Sequence, residues 1–160
     1  MLQTAITSQE MRTIEENAEY LGISKCQLME NAGKAVADTL KSLRKGQELT
    51  VYAGVGRNGG DGMVTARHLA SRFKVTLILV GAEQKILDPN VNLNWEILKK
   101  MKESIVLQKI QDSTLLSKIS TPIVVDAMLG TGARGRISAP ILQAVQKINH
   151  SNSFKISIDV

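Results

Sequence analysis

Two glycine-rich segments, each entered directly from a short apolar run, restrict what this 160-residue chain can fold into. Leu49-Thr50-Val51-Tyr52-Ala53 leads into the stretch Gly54–Gly62, and Pro122-Ile123-Val124-Val125-Asp126 leads into Gly130–Gly135. Short apolar runs bounded by glycine read as strands buried on both faces, the condition of strands inside a parallel sheet. The pairs Asn58-Gly59 and Asp61-Gly62 are also hairpin signals. A hairpin, however, returns antiparallel, and the five glycines between Gly54 and Gly62 exceed what one turn requires.

The remainder of the chain alternates in the same sense. Helical spacing of Met11, Ile14 and Ala18 after Ser8 predicts a first helix, which Gly22 ends. A second helix is expected within Ser24–Leu40, with Ala32, Gly33 and Ala35 permitting close packing. Beyond Gly46 the pattern predicts helices at Met63–Phe73, Asn90–Met101, Ser113–Ile119 and Pro140–Ile148. Further strands are expected at Val75–Val80, Ser104–Leu107 and Lys155–Val160. Strand–helix alternation with right-handed crossovers implies a three-layer, Rossmann-like α/β fold: a mostly parallel sheet, helices on both faces, and two N-terminal helices in front. No repeat or Pro-rich linker divides the chain, so residues 1–160 read as one domain.

Composition removes several classes. A hydrophobic fraction of 43% with 22% charged residues is that of a folded soluble domain rather than a disordered one. The net charge of +5 raises the question of nucleic acid. The cations are scattered, though, with Lys41, Arg44, Lys45 and Lys99, Lys100, Lys102 at predicted helix ends, where they complement the macrodipole. Aromatics are only 3%, which leaves no stacking platform for bases. A single cysteine, Cys26, among Leu21, Ile23, Leu28 and Met29 reads as a small hydrophobe. With no signal peptide and no apolar run long enough for a bilayer, a cytoplasmic protein without a membrane partner is expected.

Open α/β sheets bind ligands beyond the C-terminal ends of their strands, where both glycine segments fall. Glycines let a phosphate approach the backbone, and a following helix N-terminus favours its charge. Asn58 and Asp61 add oxygens for a hard cation or a sugar hydroxyl. In the second segment Asp126 faces the crevice, and Arg134 and Arg136 are available to phosphate. An ordinary dinucleotide dehydrogenase also fits Gly54, Gly56 and Gly59, with Glu83 as a ribose reader. The polar side chains inside the first segment argue against it, as does the lack of a second domain. Glu83 then reads as a solvated loop residue, and His68 as a structural histidine.

From these residues the chain resembles the YjeF N-terminal domain, the NAD(P)H-hydrate epimerase family. Leu28-Met29-Glu30-Asn31-Ala32-Gly33 matches the family's helical L-M-E-N-A-G motif. Val55–Gly62 matches its G-N-N-G-G-D-G loop, with Arg57 in place of the first asparagine. Ala66-Arg67-His68-Leu69 follows as in the family, and Asp126–Gly132 resembles its D-A-L-L-G-T-G motif. The resemblance implies interconversion of the R and S forms of hydrated NADH and NADPH, so that a dehydratase specific for S can restore both. It implies that Arg57, Asn58, Gly59, Gly60, Asp61, Gly130, Thr131, Gly132, Ala133, Arg134, Gly135 and Arg136 bind the hydrate. It also implies a potassium ion held by Asn58 and Asp126, and a homodimer. Asp159 matches the aspartate of the family's D-x-P-S-G motif and is expected beside the reacting ring as both binding and catalytic residue. That motif continues with a potassium-ligating serine, whereas Val160 follows here. The expectation is therefore a chain shortened at its C-terminal end, a piece of a protein whose C-terminal half is the dehydratase. The alternative within the same fold is a non-catalytic nucleotide- or partner-binding scaffold.

Overall fold

The computed structural model describes residues 6–43 and 48–159. Helices α1 (Ser8–Tyr20) and α2 (Lys25–Leu43) precede the series β1 (Glu48–Ala53), α3 (Arg57–Leu69), β2 (Lys74–Val80) and α4 (Pro89–Lys100). The chain continues through β3 (Ile105–Ile110), β4 (Ile123–Ala127), α5 (Ile141–His150) and β5 (Phe154–Ser157). All strand pairs are parallel, in the order β3-β2-β1-β4-β5. The expected Rossmann-like architecture is therefore the observed one, with β1 central and the order reversing between β1 and β4.

Alternation along the strands divides the core in two. Val51, Leu77, Val125 and Ala127 point to one face, where Met63, Val64, Leu69, Trp95 and Leu98 of α3 and α4 cover them. Tyr52, Ile78, Val124 and Met128 point to the other, under Ala144 and Ile148 of α5. Each fully buried large side chain contributes about 1.5–3 kcal/mol, so both faces hold the sheet. Helix α2 packs mainly on α3, as a further layer. Thr65 Oγ1 donates to the Gly33 carbonyl at 3.1 Å, and Glu30 bridges Arg67 and His68. His68 Nε2 lies 2.7 Å from Glu30 Oε1, a structural position as expected.

Several local expectations change. Helix α1 is capped by Thr7, not Ser8, because Thr7 and Glu10 form a reciprocal capping box. The short helix expected at Ser113–Ile119 is a single 3-10 turn, Ser113–Leu115, in which Asp112 takes up the Thr114 N–H. The third strand runs on to Ile110, and His150 is the last residue of α5 rather than a loop residue. Glu83 is not simply solvated: it pairs with Lys99 and Lys109. Cys26 is half-buried and free. Arg44, Lys45 and Val160 lie outside the described residues. Among the described residues no helix is long and apolar enough to cross a membrane.

The largest change is at the first glycine segment. A loop is expected through Gly62, yet α3 begins at Arg57, so Gly59, Gly60 and Gly62 are helical. Glycine is a poor helix former, and packing overrides that preference. A Cβ on Gly59 would lie 1.9 Å from the Gly54 carbonyl oxygen, so the helix start and the end of β1 meet backbone to backbone. The α2–α3 contact uses the same device: a Cβ on Gly33 would lie 2.7 Å from the Asp61 carbonyl oxygen and 2.5 Å from Val64 Cβ. Gly33→Ala should therefore cost ~2 kcal/mol by overpacking. That corresponds to a fall in melting temperature of roughly 4–8 °C; an unchanged midpoint in calorimetry would show that α2 yields without cost.

Candidate functional site

At the switch point the two glycine segments come together. Gly54 N–H donates to the Ala127 carbonyl at 3.1 Å, and a Cβ on Gly54 would lie 2.2 Å from the Met128 carbonyl oxygen. From there β1 turns into α3 on one face, while the chain after β4 passes towards α5 on the other. The gap between them is a cavity of ≈ 840 Å³, within the range of small-molecule sites.

The first segment supplies the cavity with Gly56, Arg57, Asn58 and Asp61. Gly56 occupies the N-cap of α3 with no side-chain cap bond. The N–H groups of the first turn thus point outward without intrahelical partners, beside the positive end of the macrodipole. Asn58, in that turn, is 7% exposed, and neither its side-chain oxygen nor its nitrogen has a hydrogen-bond partner among the described residues. A buried amide left bare costs free energy unless a ligand satisfies it. Arg57 reaches sideways, its Nε 3.0 Å from Asp88 Oδ2 at the start of α4. Gly59 and Gly60 do not line the cavity; they pack against Gly54 and Met29.

The second segment contributes Gly130, Thr131, Gly132 and Ala133. A Cβ on Gly130 would lie 2.0 Å from Asp159 Oδ2 and 3.2 Å from Asn58 Cβ, so this position joins both segments to the acid. Thr131 holds Asp159 by its backbone N–H at 3.1 Å and by its hydroxyl at 3.3 Å. Asp159 takes φ 59°, the left-handed region, which Asp and Asn tolerate better than other side chains. Arg134 turns back onto the Thr131 and Ala133 carbonyls at 2.9 and 2.8 Å. Arg134, Gly135 and Arg136 are exposed and outside the cavity.

Asp126 ends β4 beside Tyr52 of β1 and Ser157 of β5. It does not line the cavity itself. Its Oδ1 accepts from Met128 N–H at 3.0 Å, and burial raises its carboxyl above the usual range. Among the described residues no three His, Cys, Asp or Glu side chains converge as a metal site. Asp61, half-buried in the second turn of α3, is pushed up to about 7, first by burial and then by the charges of Asp159 and Glu15.

Sequence reasoning missed one wall altogether. Ser8, Met11, Arg12, Ile14 and Glu15 of α1 line the cavity, and so do Asp88 and Asn90 at the start of α4. The Asp88-Pro89 pair is a readable helix start, and Asp88 does cap α4 through Asn90 N–H at 2.9 Å. The spacing of Arg12 and Glu15 carries no signal beyond that of a solvated helix face.

The family model described as YjeF-related protein N-terminus matches residues 25–160. A protein of Cenarchaeum symbiosum named NAD(P)H-hydrate epimerase is 37% identical, over 96% of this chain and 72% of its own length. A bifunctional NAD(P)H-hydrate repair enzyme of Hyperthermus butylicus is 37% identical over 99% of this chain. The chain spans only 30% of that relative. The crystal structure of yeast ynu0 superposes with a TM-score of 0.81 at 25% identity, covering 98% of this chain and 70% of the yeast chain.

The state of Asp61 sets a pH dependence of stability. Its folded value of about 7 lies above the ordinary 3.8 of an aspartate, so the folded chain retains a proton that the unfolded chain releases. Stability from this group is complete below about pH 4 and is lost as pH rises through about 7, in total roughly 4 kcal/mol. In denaturant titrations Asp61→Asn should match the wild type near pH 4 and exceed it by a few kcal/mol at about pH 8. A difference that does not grow with pH would place the Asp61 carboxyl in water.

Proposed function

Starting from the fact that the chain belongs to the family of YjeF-related protein N-termini, we propose that it interconverts the R and S forms of NADH and NADPH hydrated at ring carbon 6. The observation that carries this reading is the convergence of both glycine segments on one cavity, with the bare amide of Asn58 and the oriented carboxylate of Asp159 at its rim. The diphosphate of the hydrate would lie at the uncapped start of α3, where backbone N–H groups receive anions. The reduced ring would lie against Asp159.

Epimerisation needs the hydroxyl to leave carbon 6 and a water to add from the opposite face. As the carbon–oxygen bond breaks, the ring nitrogen donates its lone pair and the ring becomes an iminium-like cation. Asp159, its carboxyl fixed by Thr131, would face that charge and lower the barrier by preorganised electrostatics. Asn58 and Asp126 would hold a potassium ion. The unpartnered amide oxygen and the free carboxylate oxygen are the hard donors such an ion takes, and it would supply positive charge near the diphosphate. A dehydratase specific for the S form would consume the product, as the bifunctional names of the longer relatives suggest. Exposed Tyr20 and Leu21, outside the cavity, support a homodimer through the N-terminal helices.

The direct test is incubation with mixed epimers and an S-specific dehydratase. Consumption of the R form faster than its spontaneous epimerisation is expected. In the same assay Asp159→Asn should slow turnover roughly 10²- to 10³-fold with hydrate affinity little changed. Binding without acceleration would leave a scaffold in place of an enzyme.

Removing the cation gives an independent check. Exchange of potassium for tetramethylammonium should weaken hydrate binding in calorimetry, and Asn58→Ala should erase the difference between the two salts. Equal affinity in both salts for the wild type would exclude the cation.

A further inference from the structure

We propose that Asp61 is the proton carrier of this site, giving its proton to the hydroxyl that leaves the ring and recovering one from the water that returns, while Asp159 remains ionised throughout. The inference rests on the epimerase reading and deepens it by dividing the acid chemistry between two carboxyls.

The two side chains line the same cavity but are held differently. Asp159 receives both a backbone N–H and a hydroxyl from Thr131, which fix the direction of its carboxyl. No side chain or backbone N–H among the described residues donates to the Asp61 carboxyl, although its own carbonyl accepts from Thr65 Oγ1 at 2.8 Å. Its surroundings do not relieve it. Glu15 of α1 and Asp159 turn negative charge towards it. Of the cations along the cavity, Lys25 at the start of α2 is paired with Glu19, and Arg57 of α3 is paired with Asp88. Only Arg12 of α1 has no ion pair among the described residues. A half-buried carboxyl so placed keeps its proton to about 7, where an acid serves best at neutral pH.

The balance closes without a co-reactant. The bond from carbon 6 to oxygen breaks, its electron pair leaves with the oxygen, and the Asp61 proton joins it to make water. The ring nitrogen's lone pair forms the double bond to carbon 6, and the cation faces ionised Asp159. A water oxygen then bonds to the other face of carbon 6, the ring nitrogen regains its pair, and the proton released returns to the Asp61 carboxylate through the water in the cavity. Two carboxyls divide the work: Asp61 holds the proton before the hydroxyl leaves, and Asp159 is already set against the ring by Thr131 while the proton moves.

The test is the pH profile of epimerisation, with spontaneous epimerisation subtracted. For the wild type, kcat/KM should fall about tenfold per unit above roughly pH 7, where Asp61 of the free protein loses its proton. Asp61→Asn should lower kcat roughly 10²- to 10⁴-fold, keep hydrate affinity within a few-fold, and abolish the fall above pH 7. Asp61→Glu, which restores a carboxyl, should recover part of the rate and the descending limb. Calorimetric unfolding of each variant confirms that it is folded. A wild type that accelerates epimerisation while Asp61→Asn keeps its kcat, or keeps the high-pH limb, overturns this assignment and leaves the epimerase reading standing. A wild type without acceleration overturns both.

Discussion

The backbone contact between the start of α3 and the end of β1 is the constraint on which the molecule turns. With no side chain on Gly54 or Gly59, the helix settles directly on the strand ends, and Gly54 remains bonded to Ala127 of the neighbouring strand. That seating determines where the first-turn N–H groups point, and it buries Asn58 with its amide still unclaimed. It also positions the outer face of α3 to receive α2 at Gly33. Any larger residue at the pinch would lift α3 and move the binding groups with it, because packed cores transmit displacement rather than absorb it.

Charge is distributed along the cavity to suit a ligand with two different ends. The uncapped helix start presents partial positive charge, while Glu15 and Asp159 bring carboxyl groups to the same cavity. A molecule that is anionic at its diphosphate and becomes cationic at its ring meets the favourable sign at each end. The loop arginines stand outside this cavity. Arg134 spends its donors on neighbouring carbonyls, and helix amides do what guanidinium groups would otherwise do.

Much of the architecture was legible in the residues, since continuous apolar runs such as Ile123–Val125 have few structures open to them other than buried parallel strands. The motif around Asn58 and Asp61 likewise points to the end of β1, where both residues line the cavity. The start of α3 was not legible, because glycine, asparagine and aspartate all argue locally against helix, and the opposing term is a contact with residues distant in the chain. Asp61 shows a second limit: its identity is visible in the sequence, but its protonation depends on burial and on Glu15 and Asp159, which only the fold brings near. Arg12 and Glu15 illustrate a third. On an exposed helix a charged pair at this spacing is ordinary, and only the position of α1 over the cavity gives it meaning.

Helix α1 forms the front of the cavity without burying a single residue of its own. Its attachment therefore carries little of the free energy that holds the domain together, and excursions of this segment cost far less than global unfolding. The consequence concerns traffic: an occupant of the cavity can pass in and out by displacing one loosely seated helix, while the sheet, the pinch and the oriented carboxyl keep their shape behind it.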